Sequence, residues 1–320
     1  MEKSTSKIAG FFRETLDISF PLFKIMIPVI LMVKILKETG AVEVLGTLLG
    51  PVMQVVGLPG SMGLVWATCM VINIYTGVIV FLSLCAENPL TVAQVTVLAT
   101  MILIAHSLPI ELKIAQGAGV RMPAMACIRI GGALVLGWLM DRIYTLGGWF
   151  QEPNTISWIP PATDPSLAAW AIGQLKSLAF IYAVIVFLLL LLKLLGRLGV
   201  TDLIARCLRP VLAILGIGPA ASTVTIVGMT LGLAYGGGLI IQEARSGRLN
   251  KKDILFSLIL MGLCHSIIED TIVMAVLGAQ LSGILFGRVV FTLLGVFLIV
   301  RIVAILSETA FDRFLFREKT

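Results

Sequence analysis

The sequence predicts an all-α, polytopic integral membrane protein built from two inverted-topology repeats that contain broken or re-entrant helices. Three observations predict this fold: long apolar runs, an internal repeat of 159 residues, and an uneven distribution of basic loops. Of the 320 residues, 58% are hydrophobic and 13% are charged. Soluble domains are about 45–50% apolar and about 25% charged, so the bilayer must solvate most of this chain.

Six apolar runs are long enough to span a bilayer, which takes roughly 20 helical residues. They are Ile18–Leu36, Ser61–Cys85, Ala124–Ile143, Leu175–Leu195, Ser222–Ile241 and Arg288–Leu306. Two shorter runs, Val92–Ala105 and Ile254–Cys264, each lead into a polar motif. Lipid leaves backbone polar groups unpaired unless the segment is helical or packed inside protein. We therefore expect helices throughout, some of them broken.

The internal repeat appears when the sequence is shifted by 159 residues, because the two histidines of the chain, His106 and His265, then coincide within a shared His-Ser pair. The same shift pairs Pro51 with Pro210, Glu111 with Asp270, and Arg129 with Arg288. We predict two equivalent transmembrane repeats at 15–145 and 172–310. An N-terminal segment (1–14), a linker (146–171) and a tail (311–320) complete the chain.

Basic residues orient these repeats, since loops rich in Lys and Arg face the cytoplasm. Both tails carry three basic residues, whereas the linker between Tyr144 and Leu175 carries none. Both termini are therefore predicted to be cytoplasmic and the linker external, in a bacterial inner (plasma) membrane. The loop at 86–90 lacks basic residues, but its counterpart Ala244–Asp253 has four. Equivalent loops on opposite faces indicate inverted topology, as in many secondary transporters.

Polar side chains interrupt the apolar runs at repeat-equivalent places. The first motif contains His106, Ser107 and Glu111, and the second contains His265, Ser266, Glu269 and Asp270. Ionisable groups in a membrane are costly and usually face one another or a cavity. Imidazole and carboxylate groups bind divalent transition metals, so His106, Glu111, His265, Glu269 and Asp270 are candidate metal ligands. The same set could instead carry a coupling proton for an organic substrate, or serve as a structural pin.

A second polar cluster lies where two apolar runs appear interrupted. Asn73 and Tyr75 lie in one interruption, and Tyr235 and Gly237 in its counterpart. Unwound backbone at such sites can contact a solute, so all four residues are candidate substrate contacts. Close helix packing through small residues is the alternative. Arg129 and Arg288 begin the last crossings, where anchoring or gating at the two interfaces is expected.

Several function classes are not supported. The chain has no GxxxxGK[ST] phosphate-binding loop and no HExxH motif, which disfavours nucleotide hydrolysis and zinc proteolysis. We therefore expect no enzymatic activity, no resident cofactor and no nucleic-acid partner, with divalent metal considered only as a substrate. The expected partners are the lipid bilayer and a small solute, and a homo-oligomer is compatible with the sequence.

The segment Cys264–Thr271, together with the Gly-rich broken helices, resembles the nucleoside-recognition or Gate domain family. That family includes spore maturation proteins A and B and the membrane core of ferrous-iron transporter B proteins. The resemblance implies two fused Gate-like domains that transport or gate. Its members imply either nucleosides or divalent metal, and the absence of a GTP-binding domain speaks against GTP-driven iron uptake.

The predicted function is therefore a secondary transporter or gated permease with a site near the bilayer midplane. A divalent metal cation is the favoured solute. A nucleoside or another small polar organic molecule is the alternative. A non-transporting membrane scaffold or assembly protein is the alternative from another class, and an intramembrane metalloenzyme is the least favoured.

Overall fold

The computed structural model describes residues 2–85, 89–156 and 166–317, and these fold almost entirely as helices. The first half contains α1 (Glu2–Glu38), α2 (Ala41–Val55), α3 (Met62–Val71), α4 (Ile74–Cys85), α5 (Val92–Ile104), α6 (Leu108–Gly117) and α7 (Met122–Gly147). The second half contains α8 (Leu167–Arg197), α9 (Val200–Ile214), α10 (Pro219–Leu231), α11 (Leu233–Arg245), α12 (Lys251–Leu263), α13 (Glu269–Val276), a π-helical turn (Ser282–Gly287), α14 (Arg288–Ile305) and α15 (Glu308–Phe314). Part of the predicted linker, 157–165, lies outside the described residues.

The order of helices in the first half recurs in the second. A shift of 159 residues carries the bounds of α2 onto α9 and those of α5 onto α12. The backbone at the connections repeats too, since Gly40 and Gly199 both have φ of 72°. Ser107 and Ser266, at φ of 49° and 45°, are left-handed at the two central breaks.

Five helical segments of the described chain are long and apolar enough to cross a membrane. They are Thr15–Glu38, Val92–Gly117, Met122–Gly147, Leu167–Arg197 and Ser282–Ile305. The segment Val92–Gly117 is not one helix, because it consists of α5 and α6 with a break between them. The protein is thus a polytopic, all-α membrane protein.

Two runs that the sequence predicted to span, Ser61–Cys85 and Ser222–Ile241, are instead helical hairpins. In the first, a Cβ on Gly77 of α4 would overlap the sulfur of Cys69 in α3. In the second, a Cβ on Gly228 would lie 3.4 Å from the Cα of Gly236. Residues eight apart in one continuous helix would be separated by about 12 Å. The chain therefore reverses between the two helices, and small residues allow the close approach.

The equivalent helices α5 and α12 run in opposite directions along α7, which is about 39 Å long at 1.5 Å per residue. α5 begins near the end of α7, where the amide of Val92 donates to the carbonyl of Glu152. α12 begins near the start of α7, because Lys251 pairs with Asp312, whose carbonyl accepts from Arg121. The two helices consequently approach each other and meet at their C-terminal ends.

The hairpins follow the same arrangement. The side-chain amide of Gln94 near the start of α5 donates to the carbonyl of Gly57, which precedes hairpin α3–α4. The amide of Gly218, which precedes hairpin α10–α11, donates to Asp253 near the start of α12. The hairpins thus enter from opposite ends of α7, and both reach its middle.

Candidate functional site

Four interruptions of helical backbone converge at the centre of the molecule. They are the breaks between α5 and α6 and between α12 and α13, and the tips of the two hairpins. The amide of Ser107 donates to the carbonyl of Cys69 over 2.9 Å, and that of Ile267 to the carbonyl of Met229 over 3.2 Å. These bonds satisfy amides that would otherwise be orphaned in a buried setting. Each break is therefore held against the tip of one hairpin.

His106 and His265 face each other at this centre. Their Nε2 atoms lie 3.0 Å apart, and the rings are tilted by 50° with centroids 4.8 Å apart. Both residues are buried, with exposed fractions of 5% and 3%. Two inverted repeats related by a two-fold axis would bring their equivalent motifs close together, and the structure places the two rings in direct contact.

The other nitrogen of each ring identifies the tautomer. Nδ1 of His106 lies 2.9 Å from the carbonyl oxygen of Ile102, and Nδ1 of His265 lies 2.8 Å from that of Met261. A carbonyl oxygen only accepts, so each Nδ1 carries a proton and donates it. In neutral rings, both Nε2 atoms are then bare lone pairs that point at each other. A cation between them, either a proton or a metal ion, would relieve that repulsion.

Glu111 lies beside this pair on α6. Its Oε1 is 3.6 Å from Nε2 of His106 and 3.4 Å from Nε2 of His265. Its Oε2 accepts a hydrogen bond from Nη1 of Arg129, a side chain with no exposed surface. The carboxylate is therefore shared between the histidine pair and a buried guanidinium.

Asp270 completes a possible ligand set. Its Oδ2 lies 3.7 Å from Nε2 of His106, is buried, and has no hydrogen-bond partner among the described atoms. One atom from each of His106, His265 and Asp270 falls within 4.8 Å of the others. Two nitrogens, each about 2.0–2.1 Å from one metal ion, are separated by about 2.9–3.4 Å at right or tetrahedral angles. The observed 3.0 Å therefore suits a single shared ion.

Glu269 follows His265 by four residues, a spacing that would put both side chains on one face of a continuous helix. α12 ends at Leu263 and α13 begins at Glu269, so the helix is broken between the two residues. Oε1 of Glu269 instead accepts a hydrogen bond of 2.8 Å from the hydroxyl of Tyr75. The two predicted site residues thus join hairpin α3–α4 to α13 beside the histidine pair.

Asn73 and Gly237, which were predicted to contact a solute, instead stabilise a helix end and the packing between two helices. Oδ1 of Asn73 accepts hydrogen bonds from the backbone amide and the hydroxyl of Thr76. Asn73 therefore caps the start of α4. The second interruption lies at Gly232, with φ of 98°, and not at Tyr235 to Gly238, which are inside α11. A Cβ on Gly237 would overlap Ile114, so this glycine allows α11 to pack against α6. The side chain of Tyr235 lies outside the described residues.

The two serines and two arginines also belong to the centre. Ser107 is the N-cap residue of α6, and Ser266 lies near the tip of the second hairpin, where a Cβ on Gly232 would be 3.1 Å from its Oγ. Arg129 and Arg288 were expected at the two interfaces, but this prediction is wrong, since both are fully buried. Nε of Arg129 donates to the carbonyl of Ile104 at the end of α5, and Nη2 of Arg288 donates to Thr271 on α13, so both side chains reach the breaks. Sequence reasoning missed Arg129 as a site residue, although both arginines follow a repeat-equivalent carboxylate by 18 positions.

Known proteins resemble this chain over most of its length. It is 30% identical over 274 residues to the uncharacterized membrane protein YvoD of Bacillus subtilis (strain 168), an alignment that covers 85% of this chain and 86% of that protein. Residues 179–284 match the model of the Gate family, described as nucleoside recognition. The chain belongs to the Gate family.

The matched region of the Gate family model extends from α8 to the π-helical turn and includes His265 and Asp270. His106, which faces His265 in the site, belongs to the first half of the chain, and this half lies outside the matched residues. No solved structure matches the chain. The family and its membrane relative indicate a membrane protein of transporter-like or nucleoside-recognition type, without specifying a solute.

Proposed function

We propose that this protein is a secondary transporter or gated permease, with a divalent metal cation as its solute. The observation that carries the proposal is the pair of facing Nε2 atoms, His106 and His265, 3.0 Å apart, each with its Nδ1 donating to a backbone carbonyl. Metal-binding histidines commonly donate their other nitrogen to a carbonyl in this way. Neutral imidazole beside carboxylate suits divalent transition metals.

The size of the site favours a single atom over a larger solute. The Nε2 atoms of the two rings lie 3.0 Å apart, and carboxylate oxygens of Glu111 and Asp270 lie within 3.7 Å of an imidazole nitrogen. A monatomic cation fits between these atoms with small side-chain adjustments. A nucleoside would need the hairpin tips to withdraw first.

The surrounding architecture supports transport over a purely structural role. Broken helices and hairpins that end near the middle of a membrane are the usual location of solute sites in secondary transporters. The two halves contribute opposed helices, α5 and α12, which supports an inverted repeat. The face where α12 begins carries Arg121, Lys251 and Arg313, so we place it, and both termini, on the cytoplasmic side of the bacterial inner membrane.

A nucleoside is the second candidate solute, because the description of the matching family is nucleoside recognition. On this alternative, the histidine pair would carry the coupling proton, since a proton also relieves the repulsion between the facing lone pairs. The two candidates therefore use the same cation site. In the first, the metal ion in the site is the solute. In the second, a proton occupies the site and a nucleoside is the solute.

The test is transport into proteoliposomes. The parent protein, a His106→Ala/His265→Ala variant and an exposed-carboxylate control, Glu152→Gln, are assayed for uptake of Zn²⁺, Mn²⁺, Fe²⁺ and nucleosides, with and without a pH gradient. We expect metal uptake by the parent and control and none by the histidine variant. Uptake of nucleosides alone would replace metal by the second candidate. Equal uptake by parent and histidine variant, or no uptake at all, would overturn the proposal.

A further inference from the structure

The equivalent carboxylate and arginine side chains of the two halves make different contacts. Glu111 and Arg129 are 18 residues apart and form a buried ion pair. Asp270 and Arg288 have the same spacing, yet Oδ2 of Asp270 and both Nε and Nη1 of Arg288 lack hydrogen-bond partners among the described atoms. Arg288 contacts Thr271 instead, through a 3.2 Å hydrogen bond from its Nη2.

Leaving charged groups buried without partners is costly, so an arrangement of this kind persists only when another state or a bound ion satisfies them. In the first half the carboxylate of Glu111 binds Arg129, and only Nη2 of that guanidinium lacks a partner among the described atoms. The second half shows the other arrangement, with Oδ2 of Asp270 free near His106 and available to a cation.

We propose that Glu111 and Asp270 exchange roles during transport. In the present state, Arg129 binds Oε2 of Glu111, whose Oε1 lies 3.4 Å from Nε2 of His265, while Oδ2 of Asp270 has no hydrogen-bond partner among the described atoms. In the alternate state, Arg288 binds Asp270 and Glu111 is released from Arg129. Arg129 and Arg288 are then positioning residues, and each binds the carboxylate of its own half in only one of the two states. This inference rests on the proposed cation site and adds the means by which the site alternates.

The exchange predicts that substitutions of the two equivalent arginines shift the balance between the present and the alternate state in opposite directions. Arg129→Gln removes the arginine that binds Glu111 in the present state and so destabilises the present state. Arg288→Gln removes the arginine that would bind Asp270 in the alternate state and so destabilises the alternate state. We expect the balance between states to shift in opposite directions, by about tenfold each, which corresponds to ~1.4 kcal/mol.

The balance is measured with reporter cysteines at the repeat-equivalent positions Met70 and Met229, near the tips of the two hairpins, in a background without native cysteines. Met70→Cys and Met229→Cys proteins are reconstituted and labelled with a membrane-impermeant maleimide from each side. Opposite shifts in the two labelling rates for Arg129→Gln and Arg288→Gln support the exchange, and Arg129→Lys should return the parent rates. Shifts in the same direction, or none, would overturn it. The labelling experiment requires no solute. If the labelling rates shift in opposite directions but the protein binds no divalent cation, the proposed function is refuted and the exchange is not.

An independent observation concerns the basic face. A cavity of about 870 Å³ lies between the α6–α7 turn and residues 313–317. Among the described residues, the charged ones that line it are all basic: Lys113, Arg121, Arg313 and Arg317. The nearby Asp312 does not offset them within the cavity, because its carboxylate pairs with Lys251.

The frame of this cavity is fixed by backbone bonds between the two halves. The amide of Arg317 donates to Gly119 over 2.7 Å, and the amide of Arg121 donates to Leu315 over 2.9 Å. α7 starts at the cavity wall, so the positive end of its dipole adds to the basic side chains. These bonds fix the backbone positions of Arg121 and Arg317, so the two halves of the chain contribute basic residues to one cavity.

We infer that this cavity binds the phosphate group of an anionic phospholipid. Basic pockets at the ends of membrane helices recognise such headgroups, and each Lys or Arg near the surface adds to the attraction. The apolar residues Met122 and Phe314 also line the cavity and would contact the start of an acyl chain. A lipid therefore matches both parts of the lining better than a free phosphate does.

The test measures lipid retained by the purified full chain and its melting temperature after addition of phosphatidylglycerol, phosphatidylcholine or inorganic phosphate. An Arg313→Gln/Arg317→Gln variant is compared with the parent and with Arg197→Gln, a basic control at the end of α8. We expect phosphatidylglycerol alone to stabilise the parent and control, with at least about tenfold weaker binding in the double variant. Equal binding by the double variant, or equal stabilisation by phosphate or phosphatidylcholine, would refute the lipid site.

Discussion

Replacing His265 by alanine tests the facing-lone-pair argument most directly. The substitution removes one of the two Nε2 atoms that lie 3.0 Å apart, leaving His106 and Asp270 of the three residues that the structure groups as possible ligands. It also removes the repulsion that a cation would relieve. We therefore expect the variant to fold without a cation and to bind divalent metal much more weakly.

The magnitude follows from linkage between binding and folding. Loss of groups that only support a metal ligand weakens affinity 10–100-fold, so loss of a ligand itself should cost about 100-fold or more. At a metal concentration of 100 times the parent Kd, binding stabilises the parent by about 2.7 kcal/mol. The same concentration is then near the Kd of His265→Ala, where stabilisation falls to about 0.4 kcal/mol.

The assay is thermal unfolding of the purified protein in detergent, with Zn²⁺ or Mn²⁺ titrated into the parent, His265→Ala and the exposed control Glu152→Gln. The parent and control should show a rise in melting temperature that depends on metal concentration. The reasoning fails if His265→Ala keeps the parental rise, because the metal would then bind elsewhere. It also fails if the parent shows no rise with any divalent metal.

Three further predictions concern the framework of the site. Arg129→Gln should destabilise the protein by about 3–5 kcal/mol, since it leaves Glu111 charged and buried, and adding Glu111→Gln should recover most of the loss in chemical denaturation. Gly77→Ala should cost about 1–3 kcal/mol because its Cβ would overlap the opposite helix of the hairpin, whereas Gly131→Ala, with open space at its Cβ, should be neutral in the same experiment. Tyr75→Phe should cost about 1.5–3 kcal/mol by removing a hydroxyl that bonds a carboxylate on α13, and unchanged unfolding would contradict that bond.

The membrane class and the repeated order of elements were predictable from the sequence. Apolar composition leaves the chain no solvent other than lipid, and the shared register of His106 and His265 fixes which segments are equivalent. The meeting of the two histidine motifs was predictable from the same register. The orientation of the repeats relative to the membrane and the choice of solute remain predictions.

Helix interruptions were only partly predictable. The run at 61–85 has the length of a spanning helix, and nothing in its hydropathy separates one helix from a hairpin of two. The reversal depends on close contact between Gly77 and Cys69, which is a property of packing. In the second half, a glycine-rich stretch drew the prediction to 235–238, whereas the break is at Gly232, where φ is positive.

The sequence by itself determined that two equivalent halves place imidazole and carboxylate groups inside a membrane. Only the tertiary structure decided which of those groups meet. It joined Glu269 to Tyr75, paired Glu111 with Arg129, left Asp270 free, and aimed two Nε2 atoms at each other. The physical reason is that equivalence in sequence fixes only the order along the chain. Hydrogen bonds between breaks and hairpin tips fix the position of each side chain, and they bring together atoms that are far apart in sequence.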